Sequence, residues 1–185
     1  MKKLFTIFVA FFIATSAQAA ENMVWKIVPE QSKIEFKVTQ DSSVISGSFK
    51  KFDGKILFDK NQLAKSKVVI DIDTSSILVS LNEAAGTVQS PEWLSTKAFP
   101  KATFSAEKFS AVGKGFRAEG NLTIKGKTAP AVLEFSFNEY TTTKAHAIGK
   151  TIIKRSAFGI GNADVKKANG VKDDIEISFV VNAKK

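Results

Sequence analysis

Between Gly120 and Phe137 the chain alternates with a period of two. Leu122 and Ile124 are interleaved with Asn121, Thr123 and Lys125, and Leu133, Phe135 and Phe137 with Glu134, Ser136 and Asn138. Successive side chains of a strand point to opposite faces, so this stretch must form two strands, each with one apolar and one solvated face. Gly126 and Pro130 mark the interruption between them. Because a residue without an N–H does not suit a ladder, Pro130 is expected to open the second strand. A chain built this way has to bury one face of every strand, and its architecture is decided by what those faces enclose.

The same period recurs along the chain. Ile34, Phe36 and Val38 alternate with Lys33, Glu35 and Lys37; Val44–Phe49 forms a further strand with Gly47 at a bend; Ile56 and Phe58 share a face. Val68, Ile70 and Ile72 oppose Asp71 and Asp73, and Ala102, Phe104 and Ala106 begin a run that continues through Phe116, Ala118, Leu122 and Ile124. Ala145, Ala147, Ile153 and Arg155 share one parity, and Ile175, Ile177, Phe179 and Val181 form the last strand. Eight or nine strands result, with turn signals at short intervals and no helical period between them. An all-β antiparallel barrel or sandwich fits this pattern; a parallel α/β sheet does not. Residues 74–100 depart from the period. Ser90-Pro91 reads as a helix start, so a short helical segment near residues 77–96 is expected, carrying Ile77, Leu81, Val88, Trp93, Leu94 and Phe99 as a plug at one end.

The first residues read as a leader. Lys2 and Lys3 precede the apolar run Leu4–Ile13, and Ala17-Gln18-Ala19 is a small-x-small cleavage signal, so residues 1–19 are expected to be removed near Ala19/Ala20. The run is short of the about 20 residues that span a bilayer. The exported product, residues 20–185, has the length of one domain with a real core. It is expected to be periplasmic. With no cysteine it has neither disulfides nor thiol chemistry. The net charge of +9 falls by two to +7 with the leader, and among the 27 basic residues only Arg117 and Arg155 are arginine. Nucleic-acid sites lean on arginine forks beside clustered charge, whereas these lysines are spread over outward strand positions. No nucleic-acid partner is expected; transient contact with an anionic membrane surface is compatible with the charge.

Signals for catalysis are poor. The single histidine, His146, lies on a solvated strand face, and without a second histidine or a cysteine a zinc or haem site lacks ligands. No Gly-x-Ser-x-Gly elbow is present, and Asp71 and Asp73 are explained as solvated strand residues. The chain is therefore read as a non-enzyme without a cofactor. Arg155 is the exception: its parity turns it inward beside Phe158, where an arginine must be paired or must face a ligand. It either pins a carboxylate or turn carbonyls, or contacts a head group. The interior of an eight-stranded barrel either packs solid or holds one small ligand. Phe36, Phe49, Phe104, Phe135 and Phe158 share their faces with glycines and alanines, which is equally compatible with both.

Several stretches, in order, resemble the YceI-like family of bacterial lipid-binding proteins: Ser32–Phe36, Gly47–Gly54, Ser75-Ser76-Ile77, Ser90–Leu94, Phe99–Phe104, Gly120–Gly126 and Arg155–Ile160. The resemblance implies an eight-stranded antiparallel, lipocalin-like barrel around a long isoprenoid or fatty-acyl chain. Phe36, Val38, Phe49, Ile72 and Ile77 would line the cavity together with Phe104, Leu122, Leu133, Phe135 and Phe158. Trp93, Leu94 and Phe99 would lie at its closure, and Arg155 at the head group. Two departures point to tail binding without a defined head-group site. Positions that read Arg-Asp-x-His-Leu in many members are Ala84–Val88 here, and Ala157 replaces the usual Asp before Phe. The expected function is binding, transport or storage of a polyprenyl, quinone or other long-chain lipid, by a monomer or homodimer. The alternatives are a stress-related module acting through its surface and a soluble partner of membrane quinone or cytochrome chemistry.

Overall fold

The structure, a computed structural model, describes residues 24–162, 164 and 167–185; the leader expected over residues 1–19 lies outside them. Eleven strand segments form one antiparallel sheet: β1 (Val24–Ile27), β2 (Lys33–Gln40), β3 (Ser43–Phe49), β4 (Phe52–Leu57), β5 (Lys67–Asp73), β6 (Ile77–Val79), β7 (Lys101–Val112), β8 (Gly115–Ile124), β9 (Lys127–Tyr140), β10 (Lys144–Lys154) and β11 (Val171–Lys184). They are eight strands, three of them interrupted. β1 and β2 both run along β11, the first through Lys26–Lys184 and Ile27–Ala183 and the second from Lys33–Val180 onward, with a 3-10 turn at Pro29–Gln31 between them. β3 and β4 are separated by Lys50 and Lys51, and β5 and β6 by a second 3-10 turn, Thr74–Ser76. Pairing of β1 with both β4 and β11 closes the ring. The result is a closed eight-stranded antiparallel barrel.

Strand polarity follows the alternation. Inward positions are apolar, while outward positions carry cross-strand ion pairs such as Lys101–Asp71, Arg117–Glu134 and Lys154–Asp174. This is the reverse of a membrane-spanning barrel, whose outer band is apolar. Among the described residues no helix is long and apolar enough to cross a membrane. Pro130 does not open β9 but lies within it, opposite Asn121. β10 pairs only with Glu134–Tyr140 of β9, so one side of the strand carries no ladder at Pro130 and the missing N–H is tolerated there.

The two ends of the barrel are built differently. One, the packed end, receives loops 80–100 and 155–162 and the Lys125-Gly126 turn. The one α-helix among the described residues, α1, spans only Ala84–Gln89, so Ser90 terminates a helix and Pro91 follows that terminus. Proline just beyond a helix end is as natural as proline at its start, because it cannot continue the helix. Ile77 likewise belongs to β6, opposite Phe49, and not to a helical turn. Ile77, Leu94, Phe104, Ile124, Phe158 and Ile160 form a buried cluster here, with Trp93 packed against it.

Arg155 holds this end together. It is fully buried, and its Nε donates to the carbonyl of Lys172, Nη1 to those of Ile160 and Asn162, and Nη2 to that of Val171, at 2.5–3.1 Å. The head-group role is corrected accordingly. At the junction of β10 and a 3-10 turn (Arg155–Phe158), the guanidinium bolts the start of β11 to the loop before it. Next to it, Asp173 accepts bonds from the N–H and hydroxyl of Ser156, both at 2.9 Å. Partial burial opposes ionisation of this carboxyl, but the Ser156 bonds and the Arg155 and Lys154 charges outweigh it and hold its pKa below the ordinary 3.8.

Two outcomes follow. Arg155→Gln leaves buried carbonyls without donors and should destabilise the fold by about 3 kcal/mol or more, read by chemical denaturation. The contribution of Asp173 is complete above the ordinary carboxylate pKa and is lost as pH falls through its lowered folded value. Asp173→Asn should therefore flatten the fall in melting temperature on acidification below that ordinary value.

Candidate binding cavity

The other half of the interior is not filled. A cavity of about 170 Å³ runs through it and presents no polar surface. β5 contributes Val68, Ile70 and Ile72; β7–β9 contribute Phe104, Phe109, Leu122, Leu133, Phe135 and Phe137; β11 contributes Phe179 and Val181. Small residues make the hollow. Ala118, Ala131, Ala145 and Ala147 line it, and Gly149 sits beneath the Phe179 ring, where a Cβ would lie 2.3 Å from the ring. Two register shifts turn extra aromatics inward. The irregularity between Ala106 and Lys108 brings Phe109 to the face of Phe104, although the two are an odd five positions apart. The one between His146 and Ala147 places both Phe137 and Tyr140 inside. Bulges re-aim side chains in this way.

The aromatic end closes differently from the packed end. The loop at residues 58–66 folds across it and inserts Phe58, which is 4% exposed and stands among Phe109, Phe116, Phe135, Phe137 and Tyr140 at ring-centroid separations of 5.4–6.1 Å. The carbonyl of Phe58 accepts from Trp25 Nε1 at 2.9 Å and from the Tyr140 hydroxyl at 3.4 Å. Burial pushes the Tyr140 phenol up from its ordinary pKa. Outside the stopper, Lys60 Nζ lies 5.2 Å from the centre of the Tyr140 ring and Lys185 Nζ 4.3 Å from that of Trp25. A hollow of this size takes a body about as large as benzene. A longer apolar chain needs the rings to move, and Phe58, carried on a loop, is the ring whose displacement disturbs no strand.

Of the residues expected to bind, Ile72, Phe104, Leu122, Leu133 and Phe135 stand on the cavity wall. Phe36 and Phe49, 5.9 Å apart, pack with Ile77, Trp93, Leu94 and Phe158 in the solid end, and Val38 lies in β2 opposite Ile45. Phe99 is 37% exposed, with its ring under Gly126 and its carbonyl bonded to the Thr74 hydroxyl. These residues and Arg155 lie off the cavity, at the level where loops fill the barrel. Conversely Trp25, Phe58, Phe109 and Phe137 shape the cavity and were not among the expected residues. Parity alone reaches Phe58 and Phe137; Phe109 needs the bulge and Trp25 the long-range bond to Phe58. Among the described residues no cluster of three metal-binding side chains occurs.

This architecture has known counterparts. The chain is 35% identical over 130 residues to UPF0312 protein YE1254 of Yersinia enterocolitica, covering 70% of this chain and 67% of the relative. It is 34% identical over 131 residues to protein YceI of Salmonella newport, covering 70% and 68%. Among solved structures, BcnA of Burkholderia cenocepacia superposes with a TM-score of 0.77 at 27% identity, over 84% of this chain and 98% of that one. A polyisoprenoid binding domain from Saccharophagus degradans, implicated in plant cell wall breakdown, shares the fold alone, with a TM-score of 0.69 at 13% identity over 88% and 98% of the two chains. Residues 25–183, nearly the whole barrel, match the YceI-like domain, and the chain belongs to that family.

Proposed function

We propose that the protein binds the hydrocarbon part of a long-chain lipid inside the barrel and carries or stores it in the periplasm. The observation that carries this reading is the apolar cavity: a hollow without polar surface, at the centre of a closed barrel whose other half is packed solid. An unfilled apolar hollow forfeits contact energy that a ligand restores. Burying a chain there contributes about 0.8 kcal/mol per CH₂, so affinity follows length and girth more than head-group chemistry. An isoprenoid, polyprenyl or quinone, is the first cargo to test, since a polyisoprenoid binding domain has the same fold. Export rests on the leader pattern of Lys2, Lys3, Leu4–Ile13 and Ala17-Gln18-Ala19. Binding rather than catalysis is the reading that the family and its polyisoprenoid binding neighbour favour.

Native mass spectrometry of protein purified from the periplasm, followed by organic extraction, is expected to show a discrete added mass that extracts as an isoprenoid or acyl lipid. Ala147→Phe fills the hollow from β10 and should remove that mass while the circular dichroism of the barrel is kept. A wild-type protein that carries no lipid and takes up none on incubation with a polyprenol would overturn the reading in favour of a module acting through its surface.

A further inference from the structure

Six basic side chains of the described exterior reach a carboxylate, five of them on another strand. Lys101 meets Asp71, Lys108 meets Glu119, Arg117 meets Glu134 and Lys154 meets Asp174. At the aromatic end one group of lysines is opposed by like charge instead. Lys26, Lys184 and Lys144 are direct cross-strand partners on β1, β11 and β10, so three exposed ammonium groups stand in one row on the outer face. Among the described residues none of the three has a carboxylate within ion-pair distance. Like charges directly opposite one another are destabilising in a sheet, and here the cost is incurred twice in adjacent ladders. Beside the row, Lys185 and Lys60 lie over Trp25 and Tyr140, rings whose centres are 5.3 Å apart. Lys114 sits in the β7–β8 turn at the same end, flanked by Val112, which is 45% exposed, as is Val24 at the start of β1. Among the described residues the acidic side chains of this rim are Asp59, Glu139 and Glu107, the last paired with Lys67. Asp59 is occupied by the Asn61 N–H and the Gln62 side-chain amide.

From this we propose that the aromatic end of the barrel docks on an anionic lipid bilayer, with the Lys26–Lys184–Lys144 row and Lys60, Lys185 and Lys114 against the head groups. Lysines near an anionic leaflet are attracted individually and over a short range. The surface coincides with the end of the barrel closed by a single loop. The opposite end is tied by the four Arg155 bonds, by the Gly161 N–H to the Glu92 carbonyl and by Lys125 Nζ to the carbonyls of Glu92 and Gly159. An apolar cargo passing through this mouth would enter or leave from the bilayer side. That last step rests on the function proposed above; the docking itself does not.

Sedimentation with vesicles tests the docking without reference to cargo, using delipidated protein. The protein should cosediment with phosphatidylglycerol-containing vesicles at low salt and remain free with pure phosphatidylcholine. Lys184→Glu converts both like-charge ladder pairs into opposite-charge pairs, so it should raise the melting temperature and weaken vesicle binding about tenfold. Lys97→Glu makes the same change of net charge at the packed end and should leave vesicle binding within about twofold of wild type. Equal losses in the two variants would show attraction by net charge alone and overturn the proposal. So would equal binding to phosphatidylcholine, or no binding to either vesicle. A protein that passes this test but carries no lipid would refute the cargo and leave the docking standing.

Discussion

Closure of β1 and β2 onto β11 is the constraint on which the rest of the structure depends. Without it the sheet has two edges and the inner faces of all eight strands meet water. With it, a row of apolar side chains on each strand becomes the wall of one compartment. The closing contact is made by two short segments on either side of a turn, with β11 long enough to serve both. Val28 and Asn182 bridge the gap by a backbone bond of 2.8 Å, and the Ser32 hydroxyl adds bonds to the Val28 and Asn182 carbonyls. The seam is therefore continuous where the strand is not.

Inside that compartment, side-chain volume decides what happens. At one end, loops supply Trp93, Leu94, Phe158 and Ile160, and the interior is full. In the middle, alanines and a glycine lie beside phenylalanines of neighbouring strands, Ala118 by Phe109, Ala147 by Phe137 and Gly149 by Phe135 and Phe179, and the interior is hollow. Mixed large and small residues are ambiguous on paper because both outcomes use them; the loops break the tie by filling one end and not the other.

Strand existence, antiparallel order and inward parity were legible in the sequence because period-two alternation is local. Ile72, Phe104, Leu122, Leu133 and Phe135 could be picked out from it. What remained hidden depends on contacts distant in sequence. The inward turn of Phe109 depends on a register shift against β8, and the place of Trp25 at the mouth on its bond to the Phe58 carbonyl, 33 positions away. Pro130 misled because its tolerance depends on where β10 stops pairing. Ser90-Pro91 misled because the same dipeptide serves at either side of a helix boundary. Arg155 was rightly placed inside, but parity says nothing about whether backbone carbonyls will be waiting for it.

The three strand interruptions have a mechanical consequence. Pro29–Gln31, Lys50-Lys51 and Thr74–Ser76 lie side by side across neighbouring strands, so the ladder is thinned along one line around this part of the wall. Such a line is a crease: the regular ladder gives way there to single backbone bonds, from the Val28 N–H to Asn182, the Lys50 N–H to Ser76 and the Asp73 N–H to Lys51. The β2–β3–β6 panel beyond it is held on one side by β11 and ends on the other at the three-residue β6. A change in interior volume can thus be absorbed by tilting a panel, while β7–β11 keep their shape.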